Sequence, residues 1–197
     1  MRKYIQHILI ISFVLIAIPI TSATGGSIAL RSHYRSLSLS QVQSMANVSM
    51  RKIDEHGFFG HSTINHDYNL KAIKGDMVVV DNATGLMWHQ NGSDDYMRYK
   101  NAKKWLKKLN KSGYAGYRDW RLPTVDEAAS LLESSKKNGN LYIDPVFSKK
   151  QLWIWTGDEI EDKDGSEAAW YVRFIYGHMS RSYFSYYSYV RPVRSVE

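Results

Sequence analysis

The chain has 197 residues, 44% hydrophobic and 13% aromatic content, a formal charge of +7 and no cysteine. That length and composition describe a globular chain with one main domain and a sizeable core. The missing thiols exclude disulfide reinforcement, thiolate metal sites and cysteine nucleophiles in one step.

Met1-Arg-Lys3 is a basic start, Ile8 to Ile20 is an apolar run broken by Ser12 and Pro19, and Thr21-Ser-Ala23 supplies small residues at a cleavage site. The run is shorter than the ~20 residues a membrane-spanning helix needs. Residues 1–23 therefore read as a signal peptide, and the product as exported, periplasmic or extracellular, with no spanning segment after cleavage. Losing Arg2 and Lys3, and no acid, leaves the mature chain at +5. Residues 24–53 are rich in serine, include Ser36-Leu-Ser-Leu-Ser40 and predict a short helix from Gln41 to Lys52. They read as a flexible or loosely docked extension. One compact domain is expected over 54–197.

Within that domain, Met77-Val-Val-Val80, a turn on Asn82 and Gly85, and Leu86-Met-Trp88 predict strand, tight turn, strand. A helix is predicted from Tyr99 to Asn110, where Ala102, Trp105, Leu106 and Leu109 recur at helical spacing and Gly113 stops it. In Asp119-Trp-Arg-Leu-Pro-Thr124, a strand at Trp120 to Leu122 hands over to a second helix capped by Thr124. Glu127 closes the capping box, and Ala128, Ala129, Leu131 and Leu132 supply the buried stripe. Further strands are expected at Leu152 to Trp155, Ala168 to Ile175 and Tyr183 to Val193. Helices in the middle and strands at the ends give an α+β fold.

Asp81-Asn-Ala-Thr-Gly-Leu-Met-Trp88, Gly113-Tyr-Ala-Gly-Tyr-Arg-Asp-Trp-Arg-Leu-Pro123, Ile143-Asp-Pro-Val-Phe147, Trp153-Ile-Trp-Thr156 and Tyr189-Val-Arg-Pro-Val-Arg194 follow one another along the chain. Residues 75–194, which carry them, resemble the Lcl C-terminal domain, a bacterial domain of unknown function that is also the C-terminal module of a collagen-like adhesin. The resemblance implies a C-type-lectin-like fold: two helices flanking a small, mainly antiparallel sheet, terminal strands side by side, and irregular loops carrying the ligand site. Members often have cysteines at positions that fall here on Leu106 and Pro192. Both are absent together, so packing must supply the ~2 to 5 kcal/mol that a disulfide contributes. The Glu-Pro-Asn and Gln-Pro-Asp triplets of calcium-dependent lectins are missing, and monosaccharide binding through calcium is not implied.

Two features are candidates for ligand binding. Lys100, Lys103, Lys104, Lys107, Lys108 and Lys111 share one face of the first predicted helix, where like charges repel and a polyanion would relieve them. The alternative is a solvated face. Tyr171, Tyr176, Tyr183, Tyr186, Tyr187 and Tyr189, six of fourteen tyrosines, are interleaved with serines, with Arg173 and Arg181, and with His178. Tyr, Ser and Arg suit recognition surfaces, because tyrosine gives large contact area at low entropy cost. The alternative is inward packing of alternate strand residues.

Catalytic and metal readings are weaker. His56, His61 and His66 are spaced five apart, matching neither helix nor strand, so no zinc site is expected. The acidic stretch Asp158 to Gly165 fails a calcium loop at its first and last ligand positions and reads as a solvated turn. No nucleophile elbow occurs. The expected function is an exported, non-catalytic binding module without cofactor or metal. Tyr176, His178, Arg181, Tyr183, Tyr186, Tyr187, Tyr189 and the six lysines meet an acidic glycan, lipopolysaccharide or surface protein. Nucleic acid is not expected, and the oligomeric state is open. The alternatives are a cell-wall or glycan hydrolase using paired carboxylates and a ligand-binding protein whose C-terminal segment is diversified by a retroelement.

Overall fold

The valines of the first predicted hairpin are buried on both faces, and their alternation divides the interior. A computed structural model describes residues 27–196 apart from Glu55, residues 161–164 and Ser166; the expected signal peptide lies outside the described residues. In chain order the elements are β1 (Ser36–Leu37), α1 (Leu39–Gln43), β2 (Val48–Asp54), β3 (Gly57–Ser62), β4 (Tyr68–Ile73), β5 (Asp76–Asp81), β6 (Leu86–His89), α2 (Tyr99–Ser112), α3 (Val125–Ser130), β7 (Trp153–Ile160), β8 (Ala168–Arg173), β9 (His178–Tyr183) and β10 (Val193–Ser195). They make a six-stranded sheet in the order β1-β7-β8-β9-β3-β2 and a four-stranded sheet in the order β10-β6-β5-β4. All pairings are antiparallel except β1 with β7. The fold is mixed α and β, as expected, but with three helices and two sheets among the described residues where two helices and one small sheet were expected.

Strand alternation sends Val79, Leu86 and Trp88 into one core with α3, Trp170 and Val172, and sends Val78, Val80 and Met87 into another with Tyr99, Ala102 and Leu106 of α2. The sequence places α2 and α3 well. Gly113 ends α2 in the left-handed conformation, φ 75°, which glycine adopts without a Cβ penalty. Thr124 and Glu127 form the capping box of α3, and Arg121 holds the Glu127 carboxylate at 2.6 and 2.7 Å. Leu106 and Pro192, the positions that lack cysteines, are both buried.

Other expectations change. Trp120 to Leu122 is not a strand: Arg121 makes one isolated bridge to Val193 before Pro123 removes the next donor. Tyr183 to Val193 is not one strand either. β9 ends at Tyr183, and residues 184–188 turn over the entry to α2, so tertiary contacts override the local strand propensity. The helix expected from Gln41 to Lys52 is one turn and a half, followed by β2. Over residues 75–194 the closing strand β10 pairs with β6, which separates it from the opening strand β5.

The segment expected as a tether is built into the domain. Val42 is fully buried in the core, and the Trp170 indole donates to the Leu37 carbonyl at 3.1 Å. The reason lies at Asp158, placed by sequence in a solvated turn and found fully buried in β7. Arg31 donates to both its oxygens at 2.8 Å, and the Arg35 and Val125 amides donate at 2.7 Å. Arg31 also pairs with Asp126. Next to this knot the Tyr34 ring lies against Gly157, where an added Cβ would fall 2.0 Å from a ring carbon. Arg31→Ala is expected to lower unfolding free energy in urea by about 3 kcal/mol, because Asp158 would be left buried with its main counter-charge gone. Gly157→Ala should destabilise the chain as well, by expelling Tyr34.

Candidate functional site

α2 buries Tyr99, Ala102 and Leu106 and leaves all six lysines exposed along roughly 21 Å of helix. Lys103 is tied to the body: its ammonium lies 3.6 Å from Glu159 and 4.4 Å from the centre of the Tyr99 ring. No such partner holds Lys100, Lys104, Lys107, Lys108 or Lys111 among the described residues.

The tyrosine-rich turn is laid against the entry to this helix. Met97 and Ser188 exchange backbone hydrogen bonds at 2.8 and 3.1 Å, and the Tyr99 amide donates to the Phe184 carbonyl at 3.4 Å. The result is an aromatic patch. Tyr96, 56% exposed, stands edge-on to Tyr187 at 5.7 Å and to Tyr189 at 5.8 Å, while Arg98 lies 5.3 Å over the Tyr187 ring. Trp153 backs the patch, donating from its indole to the Tyr187 carbonyl at 3.1 Å. Tyr183 and Tyr186 pair with one another at 5.8 Å beside it, both exposed. The two features that sequence reasoning treated separately therefore meet at the start of α2. Tyr96, Arg98 and Trp153 were missed, although Tyr96-Met-Arg-Tyr99 has the same Tyr/Arg composition as the C-terminal segment.

The structure also divides the expected residues. Tyr176 and His178 stand at the opposite end of β9 from Tyr183, five residue steps or about 17 Å away. Arg181, half-buried, is mid-strand, opposite Trp170. A different depression, of about 710 Å³, opens beside the residues after β6 and is lined by Asp76, Asp94, Asp95, Trp105 and Tyr114. His89 at its base stacks on Tyr114 at 4.0 Å and accepts from the Gly92 amide at 3.0 Å. Burial and the Arg191 charge push His89 down to about 4, so it stays neutral and the carboxylates dominate.

A chain of Ser62, His66 and Asp81 imitates a charge relay without its chemistry. Ser62 Oγ lies 3.2 Å from His66 Nε2, and His66 Nδ1 lies 2.7 Å from Asp81 Oδ2. Nε2, however, also meets the Ser130 carbonyl at 2.7 Å. A carbonyl only accepts, so Nε2 must donate and is not free to take the serine proton. With acceptors facing both nitrogens the ring clamps β5 to α3. Burial pushes the Asp81 carboxyl up, but hydrogen bonds from His66 and Thr84 outweigh it and hold it below the usual carboxylate range. The carboxylates Asp126 and Asp158 share Arg31 between them, which offsets their charge. Among the described residues no group of three or more His, Asp or Glu side chains is placed to hold a metal ion. No described helix is long and apolar enough to cross a membrane.

The family model described as the Lcl C-terminal domain matches residues 77–194. No curated protein and no solved structure matches the chain.

The depressed Asp81 carboxyl fixes a pH dependence. Its contribution is fully present above its unfolded value of about 4 and is lost as pH falls through the lower folded value. Asp81→Asn is expected to destabilise the protein at pH 7 and progressively less below about pH 4, as read by thermal unfolding across pH.

Proposed function

The chain belongs to the Lcl C-terminal domain family, and from that premise we propose that it is an exported, non-catalytic binding module for an acidic glycan or other acidic surface polymer. The observation that carries this reading is the junction of Tyr96, Tyr187, Tyr189 and Arg98 with the lysine face of α2. Exposed tyrosines supply rigid contact area, and Arg98 adds a fixed cation at its edge. The unpartnered lysines extend attraction beyond the contact itself, over the ~8 Å that physiological salt permits. Antiparallel sheets with helices and an irregular C-terminal turn are compatible with a C-type-lectin-like arrangement, in which loops carry the ligand. The hydrolase alternative gains less support at Asp126 and Asp158, whose charges are offset by Arg31.

Two sets of variants separate the parts of this reading on a heparin column. Replacing Lys104, Lys107 and Lys108 with Gln is expected to move elution to clearly lower salt. Lys103→Gln should move it less, because that charge is already paired. Tyr187→Ala is expected to weaken binding about tenfold, the scale of one well-placed aromatic contact. Unchanged elution of the triple lysine variant would overturn the electrostatic part, and unchanged affinity of Tyr187→Ala the aromatic part.

A further inference from the structure

The other end of β9 has its own chemistry, separate from the lysine helix. Arg173 ends β8, and its guanidinium lies 4.3 Å from the centre of the Tyr176 ring and 5.8 Å from that of Tyr171. Tyr176, half-exposed, stacks on His178 at 5.7 Å, and His178 meets Phe59 edge-on at 5.8 Å. Arg173, Tyr176, His178, Phe59 and Ile53 line a depression of about 470 Å³. That volume is in the range of small-molecule sites.

What marks the place is polar capacity left unused. Arg173 Nε and His178 Nδ1 are both shielded from water and make no hydrogen bond. Buried unpaired donors and acceptors are uncommon and costly, on the order of 1 to 3 kcal/mol each. Arg173 also has no carboxylate partner among the described residues, a rare condition for a guanidinium that is partly out of water. His178 adds no second charge: burial, and then the Arg173 cation, push it down to about 4, so at neutral pH it offers an uncharged ring.

We propose that this depression binds a small flat carboxylate, an aromatic or otherwise planar organic acid. Its carboxylate pairs with the Arg173 guanidinium, and its body packs against Phe59, Ile53 and the open edge of Tyr176. Three observations select that class. The guanidinium lies over the Tyr171 and Tyr176 rings and has no carboxylate partner among the described residues, so its planar fork can take a carboxylate bidentately. Ile53, Phe59 and the Tyr176 ring give part of the wall an apolar face beside Asp54, His56 and Ser180, which favours a ligand with a body over a bare ion. Asp54 lines the same depression and disfavours multiply charged anions.

Benzoate is the test ligand, titrated into the full chain while the Arg173 Nε–H and His178 ring resonances are followed by NMR. Acetate supplies the charge without the ring, benzyl alcohol the ring without the charge, and sulfate a tetrahedral anion. Benzoate is expected to shift both resonances saturably, and the three controls to bind at least about tenfold more weakly, a loss of some 1.4 kcal/mol. Arg173→Gln should lose about tenfold in benzoate affinity and Tyr176→Ala severalfold, each read with its unfolding midpoint to establish that it is folded. Lys104→Gln should bind benzoate like the parent, whatever it does to heparin retention. No saturable shift with benzoate, sulfate binding as tight as benzoate, or unchanged affinity in folded Arg173→Gln would each overturn the proposal.

Discussion

A carboxylate with no exposure is costly in a protein interior unless donors surround it, and Asp158 gathers four of them from two distant parts of the chain. Arg31 and Arg35 come from the segment before β1, Val125 from the start of α3, and the carboxylate itself from β7. Desolvating an unpaired carboxylate costs several kcal/mol, so each of these segments is held in place by the need of the others. The knot also explains why Gly157 is glycine: Tyr34 must lie flat on the strand next to Asp158 to bring its hydroxyl to the Leu122 carbonyl at 3.0 Å.

The same strand links this knot to the aromatic patch. β7 runs from Trp153 to Ile160, with Asp158 near one end and Trp153 and Trp155 at the other. The Trp155 indole donates to the Met97 carbonyl at 2.8 Å and the Trp153 indole to that of Tyr187 at 3.1 Å, so one strand fixes both halves of the aromatic patch. Arg191 acts similarly for the loops nearby. Fully buried, it donates to the Gln90 carbonyl at 2.6 Å, the Ser148 carbonyl at 3.3 Å and Gln151 Oε1 at 3.1 Å, and burial lowers it to about 9. Loops that would otherwise be free are thereby pinned to the core beneath the surface they present.

Features legible in the sequence were those whose partners are close along the chain. Thr124 and Glu127 are three residues apart, Gly113 directly follows its helix, and β5 and β6 are joined by a tight turn. The serine-rich segment before residue 54 was misleading because its composition is that of a linker, while its stabilising partner, Asp158, lies 127 residues from Arg31. Asp158 in turn sits beside a run of acids and so resembles an exposed turn. The lysine face was readable from helical spacing, and tyrosine enrichment from composition. Their meeting was not, since Tyr96, Arg98, Trp153 and Tyr187 come from three segments that only the sheets bring together. Nor was the separation of Tyr176 and His178 from the rest, which follows from where β9 begins.

If the segment before residue 54 completes the fold, its removal must be felt throughout the domain. The direct measurement is urea unfolding of residues 27–197 beside residues 54–197, followed by tryptophan fluorescence and by circular dichroism. The shorter chain is expected to lose more than about 3 kcal/mol, or to lose cooperative unfolding altogether, because Asp158 keeps only the Val125 amide. Equal midpoints and equal slopes for the two chains would contradict it.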